Sequence, residues 1–170
     1  VAVDPARHPS SNPGTAISKF FLQIPVFHWV EYFGKMVYLA SPYTHTDKSV
    51  RASRFLAVIK ACGWLMTNAS HVQMFYSPIA HTHPIAEICV LPGNWEFWEA
   101  CDKAMLSRCS EIWVFCLSGW TKSTGVNAER KIATEYGLPC KFVIPQPDGS
   151  YVISNTEPED AELEMPAAAV

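Results

Sequence analysis

Glu111-Ile-Trp-Val-Phe-Cys-Leu117 is the run that decides the fold. Beyond its first residue no polar side chain interrupts it, so it suits a strand covered on both faces, as in a parallel sheet. A polar turn, Ser118–Gly125, follows, and then a helix expected from about Val126 to Tyr136. Gly137 and Pro139 end that helix, and Cys140–Ile144 gives another strand. Upstream, Asn94 is placed to cap a helix over Trp95–Arg108, preceded by a loop with two histidines and Pro78, Pro84 and Pro92. Val72–Tyr76 reads as a strand closed by Ser77-Pro78. Ser49–Thr67 carries Val50, Phe55, Val58, Ile59, Cys62 and Leu65 at helical spacing, and Met36–Ala40 is a short apolar strand. Strands alternating with helices predict an α/β domain, a parallel sheet with helices on both faces. Ligands of such sheets bind beyond the carboxyl ends of the strands, which selects the loops Ser41–Lys48, Ser77–Gly93 and Ser118–Gly125.

The chain of 170 residues suits one such domain. It divides into an extension over 1–35 with an aromatic segment at 17–34, a domain over 36–153, and an acidic tail over 154–170 expected to be disordered. Removing the five acids of that tail from the net charge of −3 leaves the remainder at about +2. No basic stripe suggests a nucleic-acid partner. Lys19, Pro25, His28 and Glu31 interrupt the apolar run from Ile17 to Phe33, which therefore falls short of a membrane span. The six cysteines form no C-x-x-C pair and read as reduced, partly buried thiols of a cytoplasmic protein.

Ser123-Thr-Gly-Val-Asn-Ala-Glu129 is the most informative stretch for chemistry. Ser123 can cap the helix, Gly125 permits close approach to the backbone, and the helix start favours an anion such as phosphate. Glu129 lies a turn further on, where the helix start is expected to help keep it ionised, as a nucleophile requires. Taken alone, the stretch reads first as a capped helix with a solvated glutamate. Asp102 has Trp98, Met105 and Leu106 as helical neighbours, so its carboxyl lies beside an apolar stripe and tends toward a raised pKa. Taken alone, it is an interfacial acid that reaches water. His81 and His83 form an H-x-H pair without a third ligand at zinc spacing, so no metal is expected and contact with a sugar or phosphate is the better reading. No Walker loop, G-x-G-x-x-G or G-x-S-x-G occurs.

Together, three blocks in order resemble the nucleoside 2-deoxyribosyltransferase superfamily over Met36–Ile144. They are Val37-Tyr38-Leu39-Ala40-Ser41-Pro42, Asp102 with Met105-Leu106 and the strand after it, and Ser123-x-Gly125-x-x-x-Glu129 with Ala133 and Gly137-x-Pro139. The resemblance implies a three-layer, flavodoxin-like α/β fold. It also implies Glu129 as the nucleophile at C1′, Asp102 contacting the base and assisting proton transfer, and Tyr38 holding Glu129 by its hydroxyl. Ser123 replaces the acid that free-deoxynucleoside transferases tend to carry there and resembles the nucleoside 5′-monophosphate N-glycosidases, where a serine binds phosphate. A carboxylate there would repel phosphate, and a hydroxyl at a helix start favours it. Ser41 could add a donor, and Trp98, with Trp95 and Trp120 in a bulky loop, departs from the familiar enzymes and could stack on a base.

The activity so implied is cleavage or transfer of an N-glycosidic bond on a nucleotide or nucleoside, through a glycosyl–Glu129 intermediate and without a cofactor. A homo-oligomer is implied too, since members of the superfamily commonly complete each other's sites. The alternatives are a non-catalytic nucleotide-binding module on the same fold and an NAD glycohydrolase.

Overall fold

The computed structural model describes residues 35–69 and 74–159. The expectations for 1–34, for Val72 and Gln73 and for the tail from 160 lie outside them. In chain order the elements are β1 (Met36–Ala40), α1 (Lys48–Asn68), β2 (Met74–Tyr76), α2 (Pro78–Cys89), α3 (Trp95–Leu106), β3 (Glu111–Phe115), a 3-10 turn (Trp120–Lys122), α4 (Thr124–Glu135), β4 (Cys140–Pro145) and β5 (Tyr151–Ser154). The sheet runs β2-β1-β3-β4-β5, with the first four strands parallel and β5 antiparallel to β4. This is a flavodoxin-like arrangement, and its strand order reverses between β1 and β3.

All five residues of β3 are buried, as an unbroken apolar run at the centre of a parallel sheet requires. The period of two sends side chains to opposite faces. On one face Val37, Leu39, Trp113, Phe115 and Val143 meet Val58, Ala61, Cys62 and Leu65 of α1. On the other, Tyr38, Ala40, Ile112, Val114 and Phe142 meet Leu106 of α3 and Val126, Ile132 and Ala133 of α4. Each fully buried large apolar side chain contributes roughly 1.5–3 kcal/mol. Gly137 (φ +68°) ends α4: its N–H donates to the Thr134 carbonyl at 3.0 Å and the Leu138 N–H to Ala133 at 2.9 Å. This is the paired closure that a left-handed residue after a helix permits.

Three local expectations give way. The stretch after Tyr76 is a helix, not a loop, because Ser77 caps it by accepting from the Ala80 N–H and Pro78 occupies the first turn, where a missing N–H costs nothing. Pro84 is accommodated inside it. Asn94 precedes α3 but makes no side-chain cap; its amide donates to Glu96 instead. Finally, Asp148 and Gly149 (φ +85°) turn the chain into β5, which the sequence reading did not assign. Within 154–170, expected to be disordered, the described part carries Glu157, to whose two carboxylate oxygens Arg130 donates at 3.2 and 2.7 Å.

At the amino end of the sheet, Glu111 is buried and accepts from Lys35 at 3.0 Å, Lys141 at 2.8 Å and the Trp113 indole at 2.8 Å. Burial pushes its carboxyl up, but these donors outweigh that and hold it down at about 2. The stability this provides is present above the ordinary value of 4.5 and is lost as pH falls toward about 2. Glu111→Ala should therefore lower the urea midpoint at pH 7 by the equivalent of about 1–3 kcal/mol, since both lysines retain some contact with water. The variant should also lose part of the acid sensitivity between pH 4.5 and 2.

Candidate active site

Glu129 lies three residues after Val126 and three and four before Ile132 and Ala133, all buried on α4. It thus occupies a core position of the helix, which is why its carboxyl is only 5% exposed. Asp102, one turn before buried Leu106 on α3, is likewise 5% exposed. The alternation of β1 turns Tyr38 toward the same two helices, and its hydroxyl donates to Glu129 Oε1 at 2.7 Å. The structure therefore brings Tyr38, Asp102 and Glu129 into one buried group on the face of the sheet covered by α3 and α4.

Burial dominates the electrostatics. It raises the Glu129 carboxyl to about 8 despite the Tyr38 hydrogen bond, and the charge of Asp102 adds to the rise. Burial raises Asp102 to about 6, against a lowering interaction with the same tyrosine. Tyr38 is raised well above its ordinary value by burial and by both carboxylates, so it remains a hydrogen-bond donor. The raised Asp102 agrees with the sequence reading. The expectation that the helix start keeps Glu129 ionised fails, because Glu129 is the sixth residue of α4, beyond the first turn where the dipole acts strongly.

The group opens into a cleft of about 940 Å³ bounded by the loops after β1 and β3 and by α2 and α3. Ser41, His83, Trp98, Asp102, Ser123, Gly125 and Glu129 all line it. Ser41 is 6% exposed and its hydroxyl has no hydrogen-bond partner. Ser123 caps α4 by accepting from the Val126 N–H, as the sequence suggests, although the helix begins at Thr124. A Cβ on Gly125 would meet nothing within 4 Å. Trp98 lies one turn before Asp102, its indole donating to the Pro92 carbonyl at 2.8 Å. His83 is held by the Tyr43 hydroxyl and stacks on Phe55 with ring centroids 4.2 Å apart.

His81 does not join this group. Two residues from His83 on a helix, it points elsewhere, exposed and near the Tyr76 ring. Trp120 is also unavailable to a ligand, because it is buried in the second core against Phe142. The sequence reading missed Tyr43, Arg51, Arg54 and Lys122, which line the cleft. A signal for the arginines was present in two cations one turn apart at the start of α1, directly after the loop at the carboxyl end of β1. Among the described residues no group of His, Cys, Asp and Glu could hold a metal ion.

Fold and site define an α/β protein with a mostly parallel sheet and a tyrosine-held carboxylate pair beneath its switch-point cleft. The chain belongs to the family described as a domain of unknown function, DUF1937, which its residues 35–143 match. No curated protein matches the sequence. No helix among the described residues is long and apolar enough to cross a membrane.

Because the folded protein retains the Glu129 proton up to about 8 and the unfolded chain releases it near 4.5, stability is full below 4.5 and declines as pH rises through 8. Glu129→Gln removes that decline. Its thermal midpoint should match wild type near pH 4 and exceed it by about 2–8 °C at pH 9. An equal midpoint at pH 9 would mean that the carboxylate is not penalised by burial.

Proposed function

We propose that the protein cleaves or transfers the N-glycosidic bond of a nucleoside 5′-monophosphate or deoxynucleoside, with Glu129 as nucleophile. The observation that carries this reading is the 2.7 Å hydrogen bond from buried Tyr38 to Glu129, with Asp102 beside the same hydroxyl at the floor of the cleft. Tyr38 engages Oε1, which leaves Oε2 to attack C1′. The C1′–N bond breaks with its electron pair leaving on the base, and Asp102 delivers a proton to that base. The resulting glycosyl ester is resolved by water or by a second base, whose proton returns to Asp102. Ser123 is placed to meet a 5′-phosphate, since its oxygen accepts from the helix while its own proton remains to be donated. The chain's resemblance to the nucleoside 2-deoxyribosyltransferase superfamily supports the same assignment of roles.

Burial leaves the two carboxyls holding one proton between about pH 6 and 8. The productive form carries that proton on Asp102 and leaves Glu129 ionised. The pH profile of kcat/KM should then be bell-shaped, with limbs near 6 and 8, and Asp102→Asn should abolish the alkaline limb along with much of the rate.

One observation favours a second reading, a binding module without turnover: a carboxyl raised to about 8 is mostly neutral at pH 7 and is then no nucleophile. Chromatography of free base separates the two. On a panel of deoxynucleosides, 5′-monophosphates and NAD, the proposal expects wild type to release base from a deoxynucleoside or 5′-monophosphate, with or without an acceptor base, and to leave NAD untouched. It expects Glu129→Gln to release at least about 10³-fold less and Tyr38→Phe about 10–100-fold less. Tight binding by wild type and Glu129→Gln with no release from any substrate would leave only the module.

A further inference from the structure

Five cations among the described residues are half-buried: Arg51, Arg54, Lys103, Arg130 and Lys141. Four of them pair with a carboxylate, on Glu87, Glu99, Glu157 and Glu111 respectively. Arg54 pairs with none among the described residues. Its guanidinium spends one nitrogen on the Thr44 carbonyl at 3.0 Å and another on the Ser118 carbonyl at 3.3 Å. Those carbonyls belong to the loops that follow β1 and β3, the two strands between which the sheet order reverses. Carbonyls orient a guanidinium but do not neutralise it, and three of its five N–H donors are left over. Burial accordingly lowers its pKa, the mark of a charge without its counter-charge.

The same cleft holds further donors. Ser41, at the end of β1, has a buried hydroxyl with no partner. Ser123 retains its own proton, the first N–H groups of α4 open beside it, and Lys122 precedes it on the cleft wall. Gly119 (φ +78°) supplies the left-handed turn by which the loop after β3 passes Arg54, and a Cβ there would only reach ordinary contact, 3.7 Å, with Nη2. None of the acids on the lining forms an ion pair with Arg54: Glu87 is paired with Arg51, Glu96 accepts from Asn94, and Asp102 and Glu129 are the buried pair beside Tyr38.

We propose that Arg54, with the hydroxyls of Ser41 and Ser123, is the receptor that makes this cleft select a phosphate-bearing nucleoside over its unphosphorylated counterpart. The proposal rests on the cleft being a nucleotide site but not on turnover there. An anion seated between the loops would give Arg54 its missing counter-charge, and each charge-assisted hydrogen bond contributes about 1.5–3 kcal/mol, or roughly 10–150-fold in affinity. The source of the phosphate, a 5′-monoester or the pyrophosphate of a dinucleotide, is left to the experiment.

The test is calorimetric binding of a nucleoside, its 5′-monophosphate and NAD to the full chain, in wild type, Arg54→Gln and Arg54→Lys, alongside base release. Gln removes the charge but keeps a polar amide, and far-ultraviolet circular dichroism with a thermal melt verifies that each variant folds. The expected result is a wild-type preference for one phosphate-bearing ligand over the nucleoside that drops by about 30-fold in Arg54→Gln and partly returns in Arg54→Lys. The ligand whose binding shows the drop identifies the source. A preference ratio unchanged in Arg54→Gln, or no wild-type preference at all, would overturn the proposal and leave Arg54 a brace between loops. Phosphate selection through Arg54 without base release would uphold this inference while the glycosidase reading fails, and base release without phosphate selection would do the reverse.

Discussion

The hydrogen bond from buried Tyr38 to buried Glu129 crosses the boundary between sheet and helix, and the rest of the site depends on it. A carboxyl in that position is costly unless it keeps its proton or finds a donor. The structure does some of both: Tyr38 supplies a donor, and burial lifts Glu129 to about 8. Asp102, buried on the neighbouring helix, increases the cost of ionising Glu129 and is itself raised. Two acids at core positions, where Leu or Val would stabilise the fold more, are the kind of sacrifice that marks a functional site.

The architecture explains how three residues from distant parts of the chain meet. Tyr38 lies opposite Ile112 in the register of β1 with β3, so the tyrosine is locked to the central strand of the sheet. α3 and α4 pack on that face and deliver Asp102 and Glu129 from above. The Glu111 cluster, with Lys35 and Lys141, gathers charge at the opposite end of the same strands. The sheet thus carries a paired, strongly ionised carboxylate at its amino end and a proton-retaining pair near its carboxyl end.

Much of this was legible in the sequence, for physical reasons. Buried parallel strands are continuous apolar runs, so Met36–Ala40 was read to its observed limits and Glu111–Leu117 and Cys140–Ile144 to within two residues. Asp102 stood out as an acid on an apolar helical stripe, and Glu129 as an acid one turn into a capped helix that follows the strongest strand. Helix α2 was missed because its prolines read as breakers, although Pro78 after Ser77 is equally a start signal. Strand β5 was missed because only Tyr151 and Ile153 face the core while Val152 is exposed, too short an alternation to register. The separation of His81 from His83 followed from that helix and was invisible while the segment read as a loop. Arg54 was missed for a different reason: its spacing from Arg51 places it near the loop after β1, but its lack of a carboxylate shows only in three dimensions.

The most direct measurement is a carbon-13 NMR titration of the Glu129 and Asp102 carboxyls in wild type and in Asp102→Asn. The account predicts that Glu129 in wild type titrates far above 4.5, near 8, and that it moves down when the Asp102 charge is removed. A Glu129 carboxyl that titrates near 4.5 and ignores Asp102→Asn would contradict it, because the two acids would then be solvated and independent rather than one buried pair sharing a proton.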